Sequence, residues 1–146
     1  MQNDPSAYLA LPPPISTNAL FNNRSYGKGR GRIITPEYRL WKSNAAQYLS
    51  VQVPLPVFMG RVEIVLYVGE KGAANLDIDN TSKAAIDALV TAKIIPNDSR
   101  KWLRSAAPEW VRGFTGIIAQ ITPVSGNVDR SDLVNWLPKA ARGLVF

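Results

Sequence analysis

A chain of 146 residues with 46% hydrophobic content is long enough to bury one core and is expected to form a single domain. It holds no cysteine and no histidine, which excludes disulfides, the usual zinc sites, histidine-based triads and thiol nucleophiles. Its 17 Lys and Arg against 11 Asp and Glu leave a formal charge of +6, a balance that favours a polyanionic partner. Any catalysis must therefore come from Asp, Glu, Lys, Arg, Tyr, Ser or a bound metal. No apolar run reaches the ~18 residues of a membrane span. The opening Met1-Gln2-Asn3-Asp4-Pro5 lacks a basic-then-apolar leader pattern, so a cytoplasmic setting is expected.

Tyr8 to Leu11 is short and apolar and stops at Pro12-Pro13-Pro14, as an opening strand would. Ile15 to Asn23 is polar and turn-rich. Arg24-Ser25-Tyr26-Gly27-Lys28-Gly29-Arg30-Gly31-Arg32 follows, in a stretch with no acid between Asp4 and Glu37. Alternating glycine and cation make either a loop whose charges seek phosphates or a plain solvated loop. The glycine spacing is not that of a P-loop. Thr35-Pro36-Glu37 has the cap, proline and acid of a helix start. Trp41, Ala45, Tyr48 and Leu49 recur at helical spacing and are expected in the core. Pro54 and Pro56 close the segment.

Val62, Ile64, Leu66 and Val68 alternate with Arg61, Glu63, Val65 and Tyr67, which predicts a strand from Arg61 to Gly69. Gly69-Glu70-Lys71-Gly72 reads as a turn. A helix is expected from about Asn80, with Asp79, Asn80 and Thr81 each fit to cap it. Ala85, Ile86, Leu89 and Val90 would be its buried stripe. Pro96-Asn97-Asp98-Ser99 reads as a turn. Trp102 to Arg112 is expected to be extended, with a break at Pro108. Phe114 to Thr122 is predicted as the last strand. Ser125-Gly126-Asn127 marks a boundary, and Arg130 to Leu144 is expected as a short tail helix limited by Pro138.

The acids concentrate in Leu76-Asp77-Ile78-Asp79-Asn80-Thr81-Ser82-Lys83, with Asp98 following. On extended backbone Asp77 and Asp79 face the same side. Two ionised carboxylates there repel unless a cation lies between them. A hard divalent cation such as Mg²⁺ suits that place. The pair can equally serve to cap a helix. Asp98 reaches the start of that helix only if the chain after the turn returns. Lys83, in the first helical turn, opposes the helix dipole at a cost of ~0.3–1 kcal/mol. It either pairs with Asp79 or Asp87, or stabilises charge on a phosphoryl group.

Leu76 to Lys83, then Ala85-Ile86-Asp87-Ala88-Leu89, then Asn97-Asp98-Ser99, together resemble the RusA-type Holliday junction resolvases of bacteria and their phages. Pro13-Pro14-Ile15-Ser16-Thr17-Asn18 is similar to that family's opening motif and takes no catalytic role. The resemblance spans roughly Leu11 to Val124. It implies an α+β fold, a single two-layer domain with a mixed sheet and helices on one face. That domain would occupy residues 1–124, with residues 125–146 a tail. The implied activity is that of a Mg²⁺-dependent homodimeric endodeoxyribonuclease, with Mn²⁺ able to substitute, that nicks four-way DNA junctions symmetrically. By motif position Asp77, Asp79 and Asp98 would bind metal and, with Lys83, be catalytic. Arg24, Lys28, Arg30 and Arg32 would hold DNA phosphates without reading bases. The family often carries Asp where Asn97 stands, which removes one charge here. Two other readings stand beside this one. The first is a non-catalytic protein that binds branched or single-stranded DNA. The second is a different carboxylate-metal enzyme, such as a nucleotide hydrolase or glycosyltransferase, although no nucleotide fingerprint is present.

Overall fold

The computed structural model describes residues 6–23, 31–73, 75–124 and 130–145. The alternation of Val62, Ile64, Leu66 and Val68 builds the strand around which the rest is arranged, β4 (Val62–Lys71). All four side chains are fully buried, and burying each contributes ~1.5–3 kcal/mol. β4 pairs in parallel with β5 (Leu103–Thr115) and antiparallel with β6 (Ile117–Pro123). β6 in turn pairs antiparallel with β1 (Ala7–Leu11), giving a mixed sheet in the order β1-β6-β4-β5. A separate two-stranded ladder, β2 (Phe21–Asn23) with β3 (Arg32–Ile34), flanks the basic segment. Ile15 to Asn23 thus holds a short strand as well as turns.

Helix α1 (Pro36–Ser50) starts as its residues dictate: the Thr35 hydroxyl accepts the Tyr38 N–H at 3.2 Å, and Pro36 fills the first turn. Its buried stripe is Tyr38, Trp41, Ala45 and Leu49. Tyr48, expected in that stripe, is 42% exposed. Position 48 sits about 100° around the helix from Leu49, at the edge of the stripe instead of its centre. Helix α2 (Lys83–Thr91) buries Ala84, Ala85, Ile86 and Leu89, while Val90 is half-buried. Both helices share one core with the inward residues of β1, β4 and β6. The architecture is the expected α+β domain. No helix among the described residues is long and apolar enough to cross a membrane.

Four features differ from expectation. β4 runs on to Lys71 instead of turning at Gly69. β5 and β6 flank β4, so the chain crosses the end of β4 between them, and the Gly116 carbonyl accepts the Gly69 N–H at 2.8 Å. A side chain at Gly69 would run into the Phe114 carbonyl. The same crossing divides the predicted strand from Phe114 to Thr122. Phe114 and Thr115 end β5, Gly116 turns with φ +108°, and β6 begins. Pro108 does not interrupt β5, because β5 is an edge strand, where a missing N–H is tolerated. At the opposite edge the Gln52 side chain bonds both the N–H and the carbonyl of Ala10, each at 2.8 Å, and covers β1 there. In the tail Pro138 separates two helices, α3 (Arg130–Trp136) and α4 (Lys139–Arg142), where one was expected.

Candidate functional site

The acidic segment enters the site through a turn that the residue pattern does not announce. Ile78–Asn80 forms a single 3-10 turn, and α2 begins only at Lys83. The Thr81 hydroxyl donates to the Ile78 carbonyl at 2.7 Å and closes the turn. From the N-terminal segment, the Thr17 hydroxyl donates to the Asn80 carbonyl at 3.1 Å. None of Asp79, Asn80 and Thr81 caps α2; Ser82 stands at that position without a side-chain cap bond. Asp77 stands on extended backbone just before this turn and Asp79 within it, so the two do not share one continuous extended strand.

At the far end of α2, Ile94 and Ile95 are fully buried and anchor the turn that carries Asp98. The Asn97 side-chain oxygen accepts the Ser99 N–H at 2.7 Å and shapes that turn. The turn lies back toward the start of α2, so Asp98 Oδ2 stands 3.8 Å from Lys83 Nζ.

Asp79, Lys83 and Asp98 line one open cavity of about 420 Å³, with Arg32, Ser82 and Thr17. Phe21, Ile86 and Leu103 supply its apolar wall. Asp77 is exposed, on extended backbone at the head of the 3-10 turn, and is not part of the cavity wall. Among the described residues no three carboxylates gather closely enough to hold a metal ion. Arg32, on β3, lies 6.0 Å from the centre of the Phe21 ring. Arg24, Lys28 and Arg30 lie outside the described residues. A second cavity of about 310 Å³ opens between α1 and α2, walled by Ala45, Ala46, Leu49, Leu55 and Ala88, and no acid lines it.

Two residues that the sequence reading left out of the site lie behind Lys83. Asp87 Oδ1 accepts from Lys83 Nζ at 2.7 Å, one helical turn away. Asp87 Oδ2 accepts from the Tyr38 hydroxyl at 3.0 Å. The helical spacing of Lys83 and Asp87 was visible in sequence, whereas nothing local ties Tyr38 to either. The hydrogen bond to Asp87 raises the Lys83 pKa above its ordinary value; partial burial opposes this, and the charges of Asp87 and Asp98 add to it. Burial raises the Tyr38 phenol, and the Asp87 charge raises it further. Tyr38 is thus a neutral donor, and Lys83 a firmly protonated cation, at neutral pH.

The arrangement offers carboxylate oxygens, an ammonium and a guanidinium around one opening. Those groups suit a ligand that combines phosphate charge with a hard cation. No protein-family model matches the chain, and no curated protein matches it.

Proposed function

We propose that this chain is a Mg²⁺-dependent endonuclease that resolves four-way DNA junctions by paired, symmetric nicks. The observation that carries the reading is the meeting of Asp79, Lys83 and Asp98 on one cavity, from segments on both sides of α2. The resemblance of Leu76 to Lys83 and of Asn97-Asp98-Ser99 to the RusA-type motifs supports it, as does the charge of +6.

Two carboxylates with water and a substrate phosphate are a donor set that Mg²⁺ accepts, and Asp79 and Asp98 would hold it. Asp77 is the third acid that the motif assigns to the metal. Bound there, the ion supplies positive charge against the scissile phosphoryl oxygens. Lys83 stabilises the negative charge that develops on those oxygens as the phosphodiester breaks. Arg32, with Arg24, Lys28 and Arg30, neutralises neighbouring phosphates and sets the strand in place. A two-fold dimer of the chain matches a substrate with near two-fold symmetry.

A second reading is binding of branched DNA without cleavage, in which the Lys83–Asp87 contact is an ordinary helical ion pair. A synthetic four-way junction, offered in Mg²⁺ and in EDTA beside a linear duplex of the same arms, separates the two. Paired nicks in the junction, in Mg²⁺ alone, support the nuclease. A junction held in both buffers and cut in neither supports the binding reading.

A further inference from the structure

We propose that Asp87, braced from the core by Tyr38, is the positioning residue of this site and holds the Lys83 ammonium on the cavity wall. The inference rests on the nuclease reading for its kinetic consequence alone.

Both oxygens of Asp87 are engaged, by different partners. Oδ2 takes the Tyr38 hydroxyl at 3.0 Å, and Oδ1 takes Lys83 Nζ at 2.7 Å. The brace behind it is rigid. Tyr38 is 1% exposed, its ring meets Phe21 edge-on at 5.8 Å, and Trp41 lies 6.5 Å away. Trp41 is itself fixed by a 2.7 Å bond from its indole N–H to the Pro13 carbonyl. A phenol in the core of α1 therefore orients a carboxylate on α2, and that carboxylate orients a half-exposed lysine.

Asp98 does not hold the lysine in this way. At 3.8 Å it attracts the ammonium without a short hydrogen bond. A lysine stem has four rotatable bonds and wanders unless its head is held. Holding matters because a charge stabilises a transition state best when it is already in place. Asp87 is not itself among the residues that line the cavity, whereas Lys83 is, so it acts through Lys83.

The test uses the full chain. NMR of the lysine ammonium groups compares wild type with Tyr38→Phe and Asp87→Asn, and takes the exposed Lys93 as a reference. The expected result is an ordered Lys83 ammonium in wild type, looser in Tyr38→Phe and as mobile as Lys93 in Asp87→Asn. A Lys83 ammonium as mobile as Lys93 in wild type, or unchanged in both variants, overturns the proposal. This arm needs no cleavage, so it decides the matter even for a chain that cuts nothing in Mg²⁺, the outcome that sinks the nuclease reading. Tyr38→Phe keeps the ring in the core and serves where Asp87→Asn fails to fold.

In a cutting enzyme the second arm is kinetic. Tyr38→Phe and Asp87→Asn should lower kcat on the junction by about tenfold or more and leave KM within about twofold. Asp87→Glu should restore part of the loss. Adding Asp87→Asn to Lys83→Ala should cost nothing further, because both changes remove one element. A full additional loss in the double variant would show Asp87 acting elsewhere and overturn the proposal.

Discussion

Lys83 Nζ lies 3.8 Å from Asp98 Oδ2, although the whole of α2 separates the two residues in sequence. The buried pair Ile94-Ile95 makes this possible by anchoring the chain where it turns back. An acid and a cation, each unremarkable alone, thereby share one opening with Asp79 and Arg32. Lys83→Ala removes the cation. It should lower junction turnover by about a hundredfold or more, the scale seen when a transition-state donor is lost. Binding of the junction in Ca²⁺, measured by gel shift, should hardly change.

The Tyr38–Asp87–Lys83 chain makes a prediction about alkaline pH. Both Tyr38 and Lys83 have folded-state values raised above their ordinary 10.0 and 10.5. A raised value means that the folded protein holds its proton more tightly than the unfolded chain. Their contribution to stability is whole below about pH 10. It is lost as pH climbs through the raised values. Urea midpoints taken from pH 8 to 11 should fall above pH 10, and the fall should be shallower in Tyr38→Phe.

The central strand allows a direct test of the fold. Leu66 is fully buried on β4, paired on both sides. Leu66→Ala should cost about 2–5 kcal/mol in urea unfolding. Gly69→Ala should also destabilise, because the Phe114 carbonyl occupies the space of the added methyl. An unchanged midpoint for Leu66→Ala would contradict its burial in the central strand, and one for Gly69→Ala would contradict the crossing of the β5–β6 connection over the end of β4.

The cations of the basic segment should act through phosphate and salt. Replacing Arg24, Lys28, Arg30 and Arg32 with Gln should weaken junction binding and flatten the slope of log K against log salt, by about 0.9 for each phosphate that is no longer neutralised. A slope equal to that of wild type would exclude these cations from the interface.

Much of the frame was legible because it depends on local pattern. The period of two at Val62, Ile64, Leu66 and Val68 could only be a strand with one buried face, and it became the centre of the sheet. Thr35-Pro36 announced α1. What escaped depended on neighbours distant in sequence. Pro108 looks like a break until β5 is known to lie at an edge. The 3-10 turn at Ile78–Asn80, which interrupts the extended backbone expected through Asp79, is held by the Thr81 and Thr17 hydroxyls. Asp79, Lys83 and Asp98 were named from the motif, and their meeting on one cavity follows from the return of the turn after α2. Tyr38 could not be named, since its bond to Asp87 joins two helices that sequence shows only as separate elements.

The most direct measurement is cleavage of a four-way junction in Mg²⁺ by wild type and by Asp79→Asn, each at saturating protein. Wild type should nick the junction in symmetric pairs, and Asp79→Asn should bind it as tightly or more tightly, having lost a negative charge, while leaving it whole. Cutting by Asp79→Asn at the wild-type rate would contradict the account.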